Sequence, residues 1–249
     1  QRQMCIRDRA KDGGIVGLSW LWNAPTGNGT PFDKDTAFDL SVAAAATADI
    51  AQSTDAQLQT MVENGTISQS CYELVQDIDA VAEELQPLAD ADIPVIWRPL
   101  PDAGGGWYWW GAHGAENYRW LWSLLFQRMT EYHQLHNLLW VWNGQSDSYW
   151  ADDTTYDIAS LDLYVNQEES YGSRYEQFLA LKNMTDGKIL ALSECSTVPD
   201  VNAMFRDNAV WSYFGLWYDT YLYDYTSKEA LIDIYNSQGT LTRDDAPTM

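Results

Sequence analysis

The chain has 249 residues, 46% of them hydrophobic, enough for the core of one large α/β domain. Its formal net charge of −22 and pI near 4.1 argue against nucleic acid and anionic membranes as partners, and leave neutral substrates open. No apolar run reaches the ~18 residues that span a bilayer, and Cys5, Cys71 and Cys195, without a CxxC pair, give neither a disulfide framework nor a zinc site.

Residues 1–10 hold three of the fourteen basic residues, Arg2, Arg7 and Arg9, in no helical or strand period. They also lack the apolar region of a signal peptide. They read as a non-native or disordered leader, and residues 11–249 as one domain.

Six apolar runs of strand length follow: Gly14 to Trp20, Pro94 to Leu100, Asn137 to Trp142, Asp157 to Tyr164, Ile189 to Ser193, and Trp211 to Trp217. Continuous rather than alternating hydrophobicity marks strands buried on both faces, as in parallel sheets. Helical patterns separate them. Asp77, Ile78, Val81, Leu85 and Leu88 keep a 3.6 period before the second strand, and Tyr118 to His133 does so before the third. Tyr175 to Lys182 precedes the fifth and Asp200 to Asn208 the sixth. The polar excursion Asn28 to Thr66 reads as a surface helix plus loop. The order predicts a (β/α)₈ TIM barrel with about six of its eight βα units in this chain, strands three to eight.

Gly104–Gly106 lacks the spacing of a dinucleotide loop, so no nucleotide cofactor is expected. His133 and His136, at i and i+3, do not form an HExxH site and suit a helix surface or a cap. No metal and no cofactor are expected.

Thirteen tryptophans and fifteen tyrosines are the compositional anomaly. Flat rings with one polar handle suit the apolar faces of sugars, although roughly half of the tryptophans are expected to pack the core. The stretch Ile93 to Gly114 combines a buried strand, Arg98, Asp102, three glycines, and Trp107, Tyr108, Trp109 and Trp110. In parallel barrels the chemistry sits at the C-terminal strand ends. Asp102 follows one strand and Glu194 ends another. If two strands precede this chain, these are strands four and seven, which permits two carboxyl groups to flank one glycosidic bond.

Five ordered segments make the resemblance specific: Gly13 to Pro25, Ile93 to Gly114, Leu135 to Asn143, Asp157 to Tyr164, and Leu192 to Glu194. The chain resembles glycoside hydrolase family 26, the β-mannanases, over nearly all its length after residue 12. The resemblance implies a (β/α)₈ barrel with carboxylates after strands four and seven, working with retention of configuration. It implies Glu194 as nucleophile and Asp102 at the acid/base position. It also implies Arg98 near the nucleophile, Trp107 and Trp217 against substrate, Tyr164 orienting the nucleophile, and Asn143 at the site. The family's His-Glu pair is here Pro101-Asp102, and its Trp-His-Trp-Asn is Trp20-Leu21-Trp22-Asn23. Pro101 is expected to hold Leu100 extended.

The function expected is endo-acting hydrolysis of β-mannosidic bonds in mannan-type polysaccharides, with Trp22, Trp107, Trp109, Trp110 and Trp217 lining the sugar site. A carbohydrate-binding pseudoenzyme, or a relative acting on another β-linked glycan, are the alternatives. The partner is then a polysaccharide or oligosaccharide met outside the cell by a monomer.

Overall fold

The computed structural model describes residues 2–25, 32–166 and 172–245. Its described residues fall into two compact units. The first is Gly17–Trp140 with Gly144–Tyr156, and the second is Gln1–Val16, Val141–Asn143 and Asp157–Met249. No Pro- or Ser-rich linker in the sequence marks this division. Six strands follow one another in chain order: β1 (Val16–Trp20), β2 (Val95–Pro99), β3 (Leu138–Trp142), β4 (Ile158–Leu163), β5 (Ile189–Cys195) and β6 (Phe214–Leu216). The pairs β2–β3, β3–β4, β4–β5 and β5–β6 are parallel. The fold is α/β, with the strand order of a TIM barrel, and every strand lies within or beside a run expected from the sequence.

In the first unit, α4 (Gln69–Ala89) carries the stripe Cys71, Leu74, Val75, Ile78, Ala82, Leu85 and Leu88, all buried. Ser68 caps it by accepting from the Cys71 N–H at 3.1 Å. α5 (Trp109–Ala112) and α6 (Ala115–Gln127) follow β2, and α6 runs into a π-turn at Arg128–Tyr132.

The excursion after β1 is more than a surface helix and loop. Residues 28–31 lie outside the described residues, but α2 (Leu40–Ala44) and α3 (Asp55–Glu63) bury Leu40, Ala43 and Leu58 completely. Arg128, itself fully buried, ties the segment down. Its Nη1 donates to the carbonyls of Ala51 at 3.0 Å and Ser53 at 2.6 Å. Its Nε and Nη2 take both oxygens of Asp79 at 2.7 Å. A buried guanidinium is tolerated because a bidentate carboxylate and several carbonyls satisfy it. His133 completes the group, its Nε2 2.7 Å from Asp79 Oδ1, rather than standing on the surface. Burial pushes the Asp79 carboxyl upward, but the bonds from Arg128 and His133 outweigh it and hold it below the ordinary range.

In the second unit, α1 (Arg2–Lys11) is helical although its sequence has no amphipathic period. α7 (Tyr175–Met184) and α8 (Val201–Asp207) fall where the sequence places helices, and α9 (Lys228–Tyr235) is an addition to that reading. Phe178 of α7 packs edge-on against Trp211 at 5.1 Å, and the Trp211 indole N–H donates to the Ser173 carbonyl at 3.0 Å. Among the described residues, no helix is long and apolar enough to cross a membrane.

Candidate active site

Asp102 belongs to the first unit and stands three residues past the end of β2. The chain turns there through two non-glycine residues of positive φ, Leu100 (φ 51°) and Asp102 (φ 52°), on either side of Pro101. Leu100 is therefore not extended, as its place before a proline implies. Such left-handed residues cost about 1–2 kcal/mol each and persist where the surroundings hold them. Here the holding group is Trp110, which is fully buried and donates its indole N–H to the Pro101 carbonyl at 2.9 Å. The Gly104 N–H also donates to the Gly144 carbonyl at 2.9 Å.

The Asp102 carboxylate accepts from the Trp107 indole N–H at 2.5 Å. Gly105 makes this bond possible, because a Cβ there would lie 2.3 Å from the Trp107 ring. The indole lies across the space that a side chain would fill. Trp107 remains 56% exposed, so one face of a large ring is open beside a carboxylate.

The neighbouring tryptophans behave differently. Trp109 and Trp110 are fully buried and Trp22 is 2% exposed. Trp22 stacks on Trp20 at 4.1 Å and meets Trp109 edge-on at 5.2 Å. Trp109 also packs against Phe38 at 5.0 Å, while Trp110 stacks on Tyr108 at 4.5 Å. Their indole N–H groups go inward, Trp22 to Asp77 at 2.8 Å and Trp109 to the Trp22 carbonyl at 2.7 Å. The expectation that Trp22, Trp109 and Trp110 line the sugar site is therefore corrected: their faces are used up in the core of this unit. Arg98 is half-exposed on β2, and the Ser19 hydroxyl donates to its carbonyl at 3.1 Å.

Glu194 belongs to the second unit, near the C-terminal end of β5. Leu161 pairs with Leu192, but Asp162 pairs with Glu194, so β5 carries one extra residue, Ser193. The same excess recurs against β6, where Leu192 pairs with Phe214 and Cys195 with Leu216. A bulge re-aims the side chains that follow it. Gly215 accommodates this one, since a Cβ there would lie 2.5 Å from the Ser193 carbonyl oxygen. The Ser193 hydroxyl donates to Ser160 Oγ at 2.6 Å and lies 3.3 Å from the Tyr213 hydroxyl.

The Tyr164 hydroxyl donates to Glu194 Oε2 at 2.7 Å. Burial first, then this bond to Glu194, pushes the Tyr164 phenol well above its ordinary value, so it stays a donor throughout the physiological range. Tyr164 sits edge-on to Trp217 at 6.4 Å and to Tyr221 at 5.3 Å. Trp217 is half-buried and its N–H donates to the Cys195 carbonyl at 2.9 Å. Asn143, expected to touch substrate, is fully buried instead. Its amide donates to the Ser160 carbonyl at 3.2 Å and to Asp162 Oδ1 at 3.2 Å, so it braces β4 against β3.

Sequence reasoning missed Ser160, Asp162, Ser193 and Tyr221. The signal for the first two was present, since Ser160, Asp162 and Tyr164 alternate in a strand that is otherwise apolar. Among the described residues, no group of three or more His, Cys, Asp or Glu side chains is placed to hold a metal ion.

The comparisons with known proteins agree with one another. A mannan endo-1,4-beta-mannosidase of Thermothelomyces thermophilus is 36% identical over 248 residues, covering 95% of this chain and 47% of that protein. Mannan endo-1,4-beta-mannosidase B of a Piromyces species is 31% identical, covering 94% of this chain and 38% of that protein. The chain thus spans less than half the length of these relatives. Among solved structures, a beta-mannanase from a symbiotic protist of the termite Reticulitermes speratus, complexed with gluco-manno-oligosaccharide, aligns with a TM-score of 0.84. It is 27% identical, over 99% of this chain and 72% of that one. The Podospora anserina GH26-CBM35 beta-(1,4)-mannanase aligns with a TM-score of 0.78 at 32% identity, over 96% of this chain and 52% of that one. The family model for glycosyl hydrolase family 26 matches residues 3–245, and the chain belongs to that family.

Proposed function

We propose that this chain carries the catalytic apparatus of a retaining, endo-acting hydrolase of β-1,4-mannosidic bonds, acting on extracellular mannan-type polysaccharides as a monomer. The observation that carries the reading is the 2.7 Å bond from the Tyr164 hydroxyl to Glu194. It anchors Oε2 of a carboxylate near a strand end and so limits the orientations open to a nucleophile.

In this mechanism Glu194 attacks the anomeric carbon and forms a covalent glycosyl-enzyme. Asp102 protonates the departing oxygen, then takes a proton from the water that releases the sugar. Trp107 and Trp217 offer aromatic faces to the sugars, and Arg98 is assigned to substrate binding. Asp102 is one methylene shorter than the family's usual glutamate. The left-handed turn at Leu100 and Asp102 and the Trp107 bond supply the local means of aiming a shorter acid.

The test is covalent trapping with an activated 2-fluoro-mannoside, whose leaving group needs no acid. Mass spectrometry of the peptic peptides is expected to find the label on Glu194. No label, together with unchanged mannan hydrolysis by Glu194→Ala, removes the reading. Because Asp102 is short, calorimetry with manno-oligosaccharides forms the second arm. Affinity without any product release assigns the aromatic face to binding alone.

A further inference from the structure

Tyr164 reaches Glu194 from a weak foundation. It lies one residue beyond β4, it is 45% exposed, and its hydroxyl is committed to the carboxylate at 2.7 Å. Two aromatic neighbours meet its ring. Trp217 meets it at 6.4 Å and 74°, and Tyr221 meets it more closely, at 5.3 Å and 64°. Edge-to-face pairs at such separations carry about 0.5–1.5 kcal/mol beyond the area they bury. Tyr221 is itself fixed, because its ring sits 5.0 Å and 78° from Tyr225, both in the π-turn Tyr221–Tyr225. Single π-turns recur at functional sites.

We infer that Tyr221 is a positioning residue for the glycosidase reaction: its ring sets the tilt of Tyr164 and thereby the orientation of the Glu194 carboxylate. The inference rests on the reading of Glu194 as nucleophile. Tyr221 touches neither the carboxylate nor the bond to be cleaved in this account. It acts through one ring and one hydrogen bond. Removing the ring leaves Tyr164 with Trp217 as its remaining aromatic neighbour, at the longer 6.4 Å, and the bond to Glu194 loosens.

The experiment uses Tyr221→Ala, Tyr221→Phe, Tyr164→Phe and the double variant Tyr164→Phe/Tyr221→Ala, with kcat and KM of each measured separately on an activated aryl mannoside. Tyr221→Phe keeps the edge-to-face contact and is expected to retain wild-type kcat/KM. Tyr221→Ala is expected to lower kcat/KM about tenfold, the scale of a small misorientation of a reacting group. The loss should fall on kcat rather than on KM, as in Tyr164→Phe, because a misaimed nucleophile weakens the transition state and not ground-state binding. In the Tyr164→Phe background, Tyr221→Ala should have no further effect. An equal loss in both backgrounds, or a loss confined to KM, overturns the inference and leaves Tyr221 as mere packing. If Tyr164→Phe and Glu194→Gln are themselves as active as wild type, the reading of the nucleophile fails first.

Discussion

Trp109→Ala separates a core tryptophan from a sugar-binding one. Trp109 is fully buried, meets Trp22, Phe38 and Trp110 at 5.0–5.7 Å, and donates to the Trp22 carbonyl at 2.7 Å. Truncating a buried tryptophan to alanine costs about 3–5 kcal/mol, transfer and cavity together. Leaving the Trp22 carbonyl without its donor adds about 1–3 kcal/mol. Against a typical total of ~5–15 kcal/mol, the variant is close to unfolding. Trp109→Phe therefore accompanies it, since that change keeps an aromatic ring and removes only the indole donor and part of the volume. Urea unfolding followed by tryptophan fluorescence and circular dichroism should show a lowered midpoint for Trp109→Phe and a larger loss for Trp109→Ala. Trp107→Ala, at a ring 56% exposed, should keep its midpoint and lose mannan hydrolysis. The reasoning fails if Trp109→Phe melts like wild type and binds manno-oligosaccharides more weakly. That result would mean the Trp109 ring meets solvent and sugar.

The remaining expectations concern the two carboxylates and their supports. Tyr164→Phe deletes a hydrogen bond to a charged group, worth about 1.5–3 kcal/mol, so kcat/KM should fall about ten- to hundredfold with little change in thermal stability. Gly215→Ala puts a methyl group 2.5 Å from the Ser193 carbonyl oxygen, so the bulge must shift. Stability should fall by about 1–3 kcal/mol and activity should fall more steeply than in a control substitution on α9. Asp77 and Asp79, two residues apart on α4, should respond oppositely to pH. Asp79 is held below its ordinary value, so its contribution is present above that value and lost as pH falls through the depressed one. Asp79→Asn should flatten acid unfolding. Burial raises Asp77 despite the bond from Trp22, so its ionisation opposes folding as pH rises through the raised value. Asp77→Asn should match wild type in acid and be the more stable at neutral pH, since an amide oxygen still accepts from Trp22. Urea midpoints measured from pH 3 to 7 check both signs.

How much of this was legible beforehand follows from which physics each feature obeys. The strands were legible because a parallel sheet is buried on both faces and demands unbroken apolar runs. The run Pro94 to Leu100 contains β2 (Val95–Pro99), and Asn137 to Trp142 contains β3 (Leu138–Trp142). α4 was legible because one apolar stripe repeats at 3.6 residues. The position of Glu194 at a strand end followed from the same periodicities. α1 was not legible, since Arg2–Lys11 has no face to bury.

Residue type and spacing thus determined the α/β class, the strand order and the two carboxylates worth testing. Tertiary structure alone decided what each aromatic ring does. Trp107 and Trp109 are two residues apart and chemically identical, yet one is 56% exposed and the other fully buried. The difference lies in a missing Cβ at Gly105 and in which side of α5 meets Trp22 and Phe38. It alone decided the extra residue in β5 too, which depends on a gap at Gly215 in the neighbouring strand. Local sequence encodes how often a chain repeats its apolar face. Which atoms then compete for the same volume is set by parts of the chain far apart in sequence.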